Sequence, residues 1–136
     1  MTRRLLLLVV LALLLPLPAG AVVSPTVRLT IAHVVKNCHV WVRAQKELGP
    51  TTTLNLRRGD RLVIRLDCPM DFNFLQTAGP RLLLGKARTY GGQSRTIVFR
   101  SAGVYRLRVT NIQTPEERGL VTLGPPNTMR LTIVVR

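Results

Sequence analysis

Ser94-Arg95-Thr96-Ile97-Val98-Phe99-Arg100-Ser101-Ala102-Gly103-Val104-Tyr105-Arg106-Leu107-Arg108-Val109-Thr110 is the stretch that decides the fold. Its first part sets Thr96 and Val98 against Ile97 and Phe99, an alternation of period two. Ser101-Ala102-Gly103 then supplies a turn. From Val104 onward Tyr105, Leu107 and Val109 fall on one face, and Arg106 and Arg108 on the other. Period two is the signature of a half-buried β-strand, because successive side chains point to opposite faces. The segment therefore reads as strand, turn, strand.

The same pattern extends in both directions. Met129, Leu131, Ile133 and Val135 share one face of a closing strand. Leu62, Ile64 and Leu66 share one face of Arg61–Leu66, and Phe72 and Phe74 share one face of Phe72–Gln76. Thr26–Ile31, Val40–Val42 and Thr53–Leu56 are further β-rich runs. Arg57-Arg58-Gly59-Asp60 is a turn, with glycine free to take a positive φ. Arg81–Gln93 is less regular and reads as a loop with at most a short helical turn or an edge strand. Asn111–Asn127, rich in Pro and Gly, reads as a long loop. The sum is about seven or eight strands at the spacing of an all-β sandwich, with no long helix. Two sheets packed face to face would bury the inward sets.

The order of these pieces resembles the cupredoxin family. Leu54 through Ile64, with Gly59-Asp60 inside it, is similar to that family's strand, Gly-Asp turn and second apolar strand. Ser94 through Tyr105 is similar to the later stretch that ends in Gly-x-Tyr. Cys38-His39-Val40-Trp41 and Leu75 through Pro80 resemble secreted bacterial cupredoxin-like proteins. The resemblance covers most of Val27–Val135 and implies a Greek-key β-sandwich of the cupredoxin type. It also implies copper, held by two imidazoles, a thiolate and a weak axial ligand such as Met. Where the family's first His would follow the Gly-Asp hairpin, Asp67 through Phe74 contains no His. The loop before the last strand has no Cys, no His and no Met up to Thr128. The standard site is therefore not expected.

The N-terminus reads as an export signal. Arg3-Arg4 is a positive start, Leu5–Leu15 an unbroken apolar run of about eleven residues, and Ala19-Gly20-Ala21 a small-x-small cleavage pattern. A bilayer-spanning helix needs about 20 apolar residues, so a membrane anchor is the poorer reading. The expected organisation is a cleavable signal over 1–21 and one domain over 22–136. A secreted, extracellular or envelope location follows, with no transmembrane segment after signal removal.

The formal charge is +14, and about +12 once Arg3 and Arg4 are removed. Such a charge attracts an anionic cell-envelope polymer or lipid. The arginines, however, are scattered along strands and not gathered in one tract, which reads as a solvated surface. Aromatics are few, so nucleic acid is not an expected partner. An unknown protein partner stays open.

Cys38 and Cys68 are the only cysteines. In an oxidising compartment such a pair reads as a disulfide, with Trp41 packed against it. The alternative is soft metal ligation by Cys38, Cys68, His39 and Met70, or a weak open site of His39, Met70 and Asp71 beside the disulfide. No cofactor is expected outright, and copper is the one candidate. His33 reads as structural or solvated.

No Gly-x-Ser-x-Gly elbow or His-Glu-x-x-His pair appears. Glu116-Glu117 reads as a solvated loop pair, and Asp67 and Asp71 flank Cys68 without a defined reaction. Enzymatic activity is not expected. The sequence points to a non-catalytic binding domain with a degenerate metal site, the alternative being a copper-handling or redox protein with a Cys/His/Met site of its own.

Overall fold

The computed structural model describes residues 23–34, 39–112 and 128–136. The expected signal segment, Cys38 and the Glu116-Glu117 pair lie outside them. The described residues form ten strands: β1 (Thr26–Ala32), β2 (Val40–Arg43), β3 (Lys46–Gly49), β4 (Thr51–Leu56), β5 (Arg61–Asp67), β6 (Asp71–Ala78), β7 (Arg88–Thr89), β8 (Ser94–Val98), β9 (Gly103–Ile112) and β10 (Thr128–Val135). They make two five-stranded sheets. The first has the order β3-β2-β1-β5-β8 and the second β4-β10-β9-β6-β7. No helix among the described residues is long and apolar enough to cross a membrane.

The expected Greek-key sandwich is the fold that forms, with ten strands in place of seven or eight. The additions are short. β3 pairs with β2 next to the Gly49-Pro50 break, and β7 contributes two residues along β6 from the stretch read as a loop. Period-two reading has no purchase on elements so brief. The chain crosses between sheets at β3–β4, β4–β5, β5–β6, β7–β8 and β8–β9, so both sheets are mixed. β1 runs parallel to β5 and β10 parallel to β4; the other pairs are antiparallel.

Every inward set read from the alternation is buried. Leu62, Ile64 and Leu66 face Phe72, Phe74, Tyr105, Leu107, Val109, Met129, Leu131, Ile133 and Val135 across the sandwich. Each such side chain stabilises the fold by about 1.5–3 kcal/mol relative to exposure. Trp41 is fully buried, and its indole N–H donates to the Arg130 carbonyl at 3.0 Å, tying the first sheet to the second.

Two local devices explain the motifs that carried the family resemblance. In the Gly-Asp turn the Arg57 amide donates to Asp60 Oδ2 at 2.7 Å, and the Asp60 amide donates back to the Arg57 carbonyl at 3.0 Å. Gly59 takes φ +91° there, as a residue without Cβ can. In the Gly-x-Tyr turn the Tyr105 hydroxyl donates to the Ser101 carbonyl at 2.6 Å, and its ring meets Phe99 edge-on at 5.1 Å.

A buried arginine closes the open side of the sandwich. Arg95 occupies an inward position of β8 between exposed Ser94 and Thr96. Its guanidinium lies over the Phe74 ring, 4.7 Å from the centroid. It donates to Thr89 Oγ1 at 2.8 Å and to the carbonyls of Leu84, Lys86, Ala87 and Arg88. Burial pushes its pKa below the usual guanidinium range. The side chain thus holds the irregular 84–88 stretch and β7 against the first sheet through carbonyls and the Thr89 hydroxyl, with no carboxylate partner among the described residues.

Candidate functional site

The topology brings most of the sequence-predicted site residues to one end of the sandwich. β1 and β5 finish together, with Ala32 opposite Asp67, and β2 begins opposite Ala32. His33, His39 and Cys68 therefore leave the first sheet at the same end. β6 starts and β9 finishes there too, with Asp71 opposite Ile112 and Phe72 opposite Asn111.

His39 is buried. Its ring meets Phe72 edge-on at 5.0 Å and lies 5.7 Å from the exposed His33 ring. Burial first, and the nearby His33 second, lower its pKa to about 4. It is a neutral imidazole at physiological pH, and its Nε2 has no hydrogen-bond partner among the described residues. The Met70 sulfur accepts from Asn111 Nδ2 at 3.0 Å, and Asn111 Oδ1 is the second buried polar atom without a partner. Asn111 was missed in the sequence because it stood at the start of the presumed loop; in the structure it belongs to β9.

Cys68 is buried, its sulfur 3.9 Å from the Met70 carbonyl, and it has no disulfide partner among the described residues. Burial raises its pKa, the Asp67 and Asp71 charges add to this, and the contact with Met70 opposes it. Cys38, the expected disulfide partner of Cys68, lies outside the described residues. Trp41 packs in the core and its indole N–H donates to the Arg130 carbonyl. Asp71 turns to other work. Arg88 Nε donates to it at 3.0 Å and the Gly91 amide at 3.1 Å. Burial acts to raise its pKa, and these hydrogen bonds with the Arg88 charge outweigh that and hold it below the usual carboxylate range. Gly91 is fixed by contact: a Cβ there would stand 2.6 Å from the Cys68 carbonyl oxygen.

These residues do not fit a copper centre of the standard kind. Burial disfavours the Cys68 thiolate, the thioether accepts an amide N–H, and the carboxylate is committed to Arg88. No group of three His, Cys, Asp or Glu converges among the described residues. Of the two buried polar atoms without a partner among these residues, His39 Nε2 and Asn111 Oδ1, the imidazole nitrogen is the one suited to a soft metal.

The second sheet carries a different site, which the sequence had dispersed. On its outer face Arg130 of β10 stands directly opposite Arg108 of β9, and Thr132 opposite Arg106. β4 continues these rows with Thr51 beside Arg130 and Thr53 beside Thr132. Leu75 of β6 lies on the far side of Arg108. All three arginines are exposed. Together with Thr51, Thr77 and Thr132 they line a shallow concavity of about 340 Å³. The one acid on this face among the described residues, Asp71, is neutralised by Arg88. Like charges placed directly opposite on paired strands oppose folding by a few tenths to about 1 kcal/mol. The signal was present as arginines at i and i+2 opposite an inward set, but the partner strand that doubles it comes from beyond the 113–127 segment.

No protein-family model and no curated protein sequence matches the chain. Among solved structures, a cysteine protease inhibitor of Entamoeba histolytica is similar with a TM-score of 0.45 and 12% identity, over 83% of this chain and 97% of that one. A reduced Cu(I) form of an amicyanin variant is similar with a TM-score of 0.43 and 21% identity, over 90% of this chain and 92% of that one. Another Cu(I) amicyanin variant gives 0.44 and 20%, over 85% and 87%.

Proposed function

We propose that this chain is an exported, non-catalytic binding domain that takes an anionic partner on the outer face of its second sheet. The observation that carries this reading is the in-register set Arg106, Arg108 and Arg130, like charges that oppose the pairing of β9 with β10 and meet no acid among the described residues. An anion would offset that repulsion, and guanidinium forks match carboxylate and phosphate oxygens in pairs. The N-terminal Arg3–Ala21 segment supports export, where an envelope polymer is within reach.

The test compares two variants with the same change in net charge. One replaces Arg106, Arg108 and Arg130 by Gln; the other replaces Arg28, Arg61 and Arg65 on the outer face of the first sheet. Retention on an immobilised polyanion under a salt gradient is expected to fall for the first and to stay near wild type for the second. Equal losses would mean that charge acts diffusely and that no face is selected.

A second reading rests on His39 Nε2, a buried neutral imidazole nitrogen without a partner. It would serve a soft Cu(I) site in which Met70 exchanges Asn111 for the metal. Stoichiometric Cu(I) uptake that is lost in His39→Gln supports it; absence of uptake removes it.

A further inference from the structure

We infer that the anion recognised by the outer face of the second sheet is a linear acidic polysaccharide whose sugars carry carboxylates, a polyuronate. This rests on the reading of that face as the binding surface and adds the class of partner.

The argument lies in what stands beside the charges. Across the sheet, one row runs Thr51, Arg130, Arg108, Leu75, and the next, two residues along, runs Thr53, Thr132, Arg106. Thr77 closes the second row, its hydroxyl donating to the Arg106 carbonyl at 3.2 Å. At the usual strand spacing of about 4.8 Å, four strands present a track about 14 Å across. Long arginines wall a floor of short threonines, which is the form of the concavity. Arg130 thus has the Thr51 hydroxyl one strand away and Arg106 that of Thr132, while Arg108 stands between Arg130 and Leu75.

A polyuronate offers the matching alternation: a planar carboxylate for the arginine fork, and ring hydroxyls that both donate to and accept from threonine. Polyphosphate supplies charge without hydroxyls. An anionic bilayer rewards apolar and aromatic insertion, and this face exposes only Leu75 and Val104. A single-stranded nucleic acid is held by stacking on a series of aromatic rings, and beside this face the described residues expose Tyr90 alone, at the β7 edge with Arg88 over its ring. The threonines therefore decide among anions that the arginines alone would treat alike.

The experiment uses the mature chain and measures affinity for a polygalacturonate oligomer, for polyphosphate of matched charge, and for vesicles of equal parts phosphatidylcholine and phosphatidylglycerol. Two variants accompany it: Thr53→Val with Thr132→Val, which keeps all arginines and the β-branched shape, and the triple Arg106→Gln, Arg108→Gln, Arg130→Gln. Wild type is expected to prefer polygalacturonate. The threonine pair is expected to weaken polygalacturonate roughly tenfold, the value of two lost hydrogen bonds, and to leave polyphosphate unchanged. The arginine triple is expected to weaken both. If the threonine pair changes neither, or if polyphosphate or vesicles are bound as tightly as polygalacturonate, the polyuronate inference is overturned while the face survives as the anion site. If the arginine triple changes nothing, the face itself is wrong, and the inference falls with it.

Discussion

Replacing Arg95 by Met tests the claim that one buried guanidinium closes the sandwich. Met keeps an apolar body over Phe74, so most of the packing in the structure is retained. What disappears is the set of charge-assisted hydrogen bonds to Thr89 Oγ1 and to the carbonyls of Leu84, Lys86, Ala87 and Arg88. Lys86, Ala87 and Arg88 are exposed, so their carbonyls recover water. The uncompensated losses are those at buried Thr89 and half-buried Leu84. At about 1.5–3 kcal/mol for each bond to a charged group, less the relief from no longer burying a charge, the net cost is about 2–4 kcal/mol. For a domain of this size that lowers Tm by about 10–25 °C. Thermal unfolding followed by the fluorescence of buried Trp41 measures it. Amide exchange gives the location: the Phe74 N–H, which donates to the Ala87 carbonyl at 2.9 Å, is expected to lose protection before the β9–β10 amides. A melt within about 2 °C of wild type, with Phe74 still protected, would refute the staple.

Three further outcomes follow from the same geometry. Arg108→Thr removes the like-charge pair with Arg130 and supplies a strand-favouring residue; its urea midpoint is expected to rise, corresponding to a few tenths to about 1 kcal/mol, and an unchanged or lower midpoint would deny the strain. His39, with a folded-state pKa of about 4 against an ordinary 6.5, contributes stability that is full above pH 6.5 and is lost as pH falls toward 4. The loss amounts to up to about 3 kcal/mol. Urea midpoints of His39→Gln should therefore be flatter than wild type across that window, and parallel profiles would contradict the assignment. In a Cys38→Ser variant the buried Cys68 thiol, its pKa raised by burial, is expected to react with a thiol reagent only after denaturant is added; prompt labelling of the folded variant would show it accessible.

The inward faces of β5, β6, β9 and β10 were legible because period two survives wherever one face is buried. The Gly59-Asp60 and Gly103-Val104-Tyr105 turns were legible because their chemistry is local, closed within four residues. Arg95 shows where such reading stops. Its phase in β8 already pointed inward, but a buried arginine needs acceptors, and those come from the irregular 84–88 stretch whose position no periodicity gives. The basic face was hidden for a related reason: Arg106 and Arg108 are visible as an outward pair, while the neighbour that brings Arg130 beside them depends on which strands pair. His39, Cys68, Met70 and Asp71 lie at one end of the sandwich because β1, β5, β6 and β9 end or begin there, and Arg88 engages Asp71 from β7, an element too short to foresee.

The placement of β10 has a consequence for how the molecule is made. It lies between β4 and β9, parallel to one and antiparallel to the other, yet it comes last in chain order. Until Thr128–Val135 has left the ribosome, β4 has no hydrogen-bonded neighbour in its sheet, and the hydrophobic layer opposite Leu62 and Ile64 is missing its centre. Pairings this distant in sequence close slowly, because loop entropy must be met before any contact forms. The second sheet is thereby left open until Thr128–Val135 is available to fill the gap between β4 and β9.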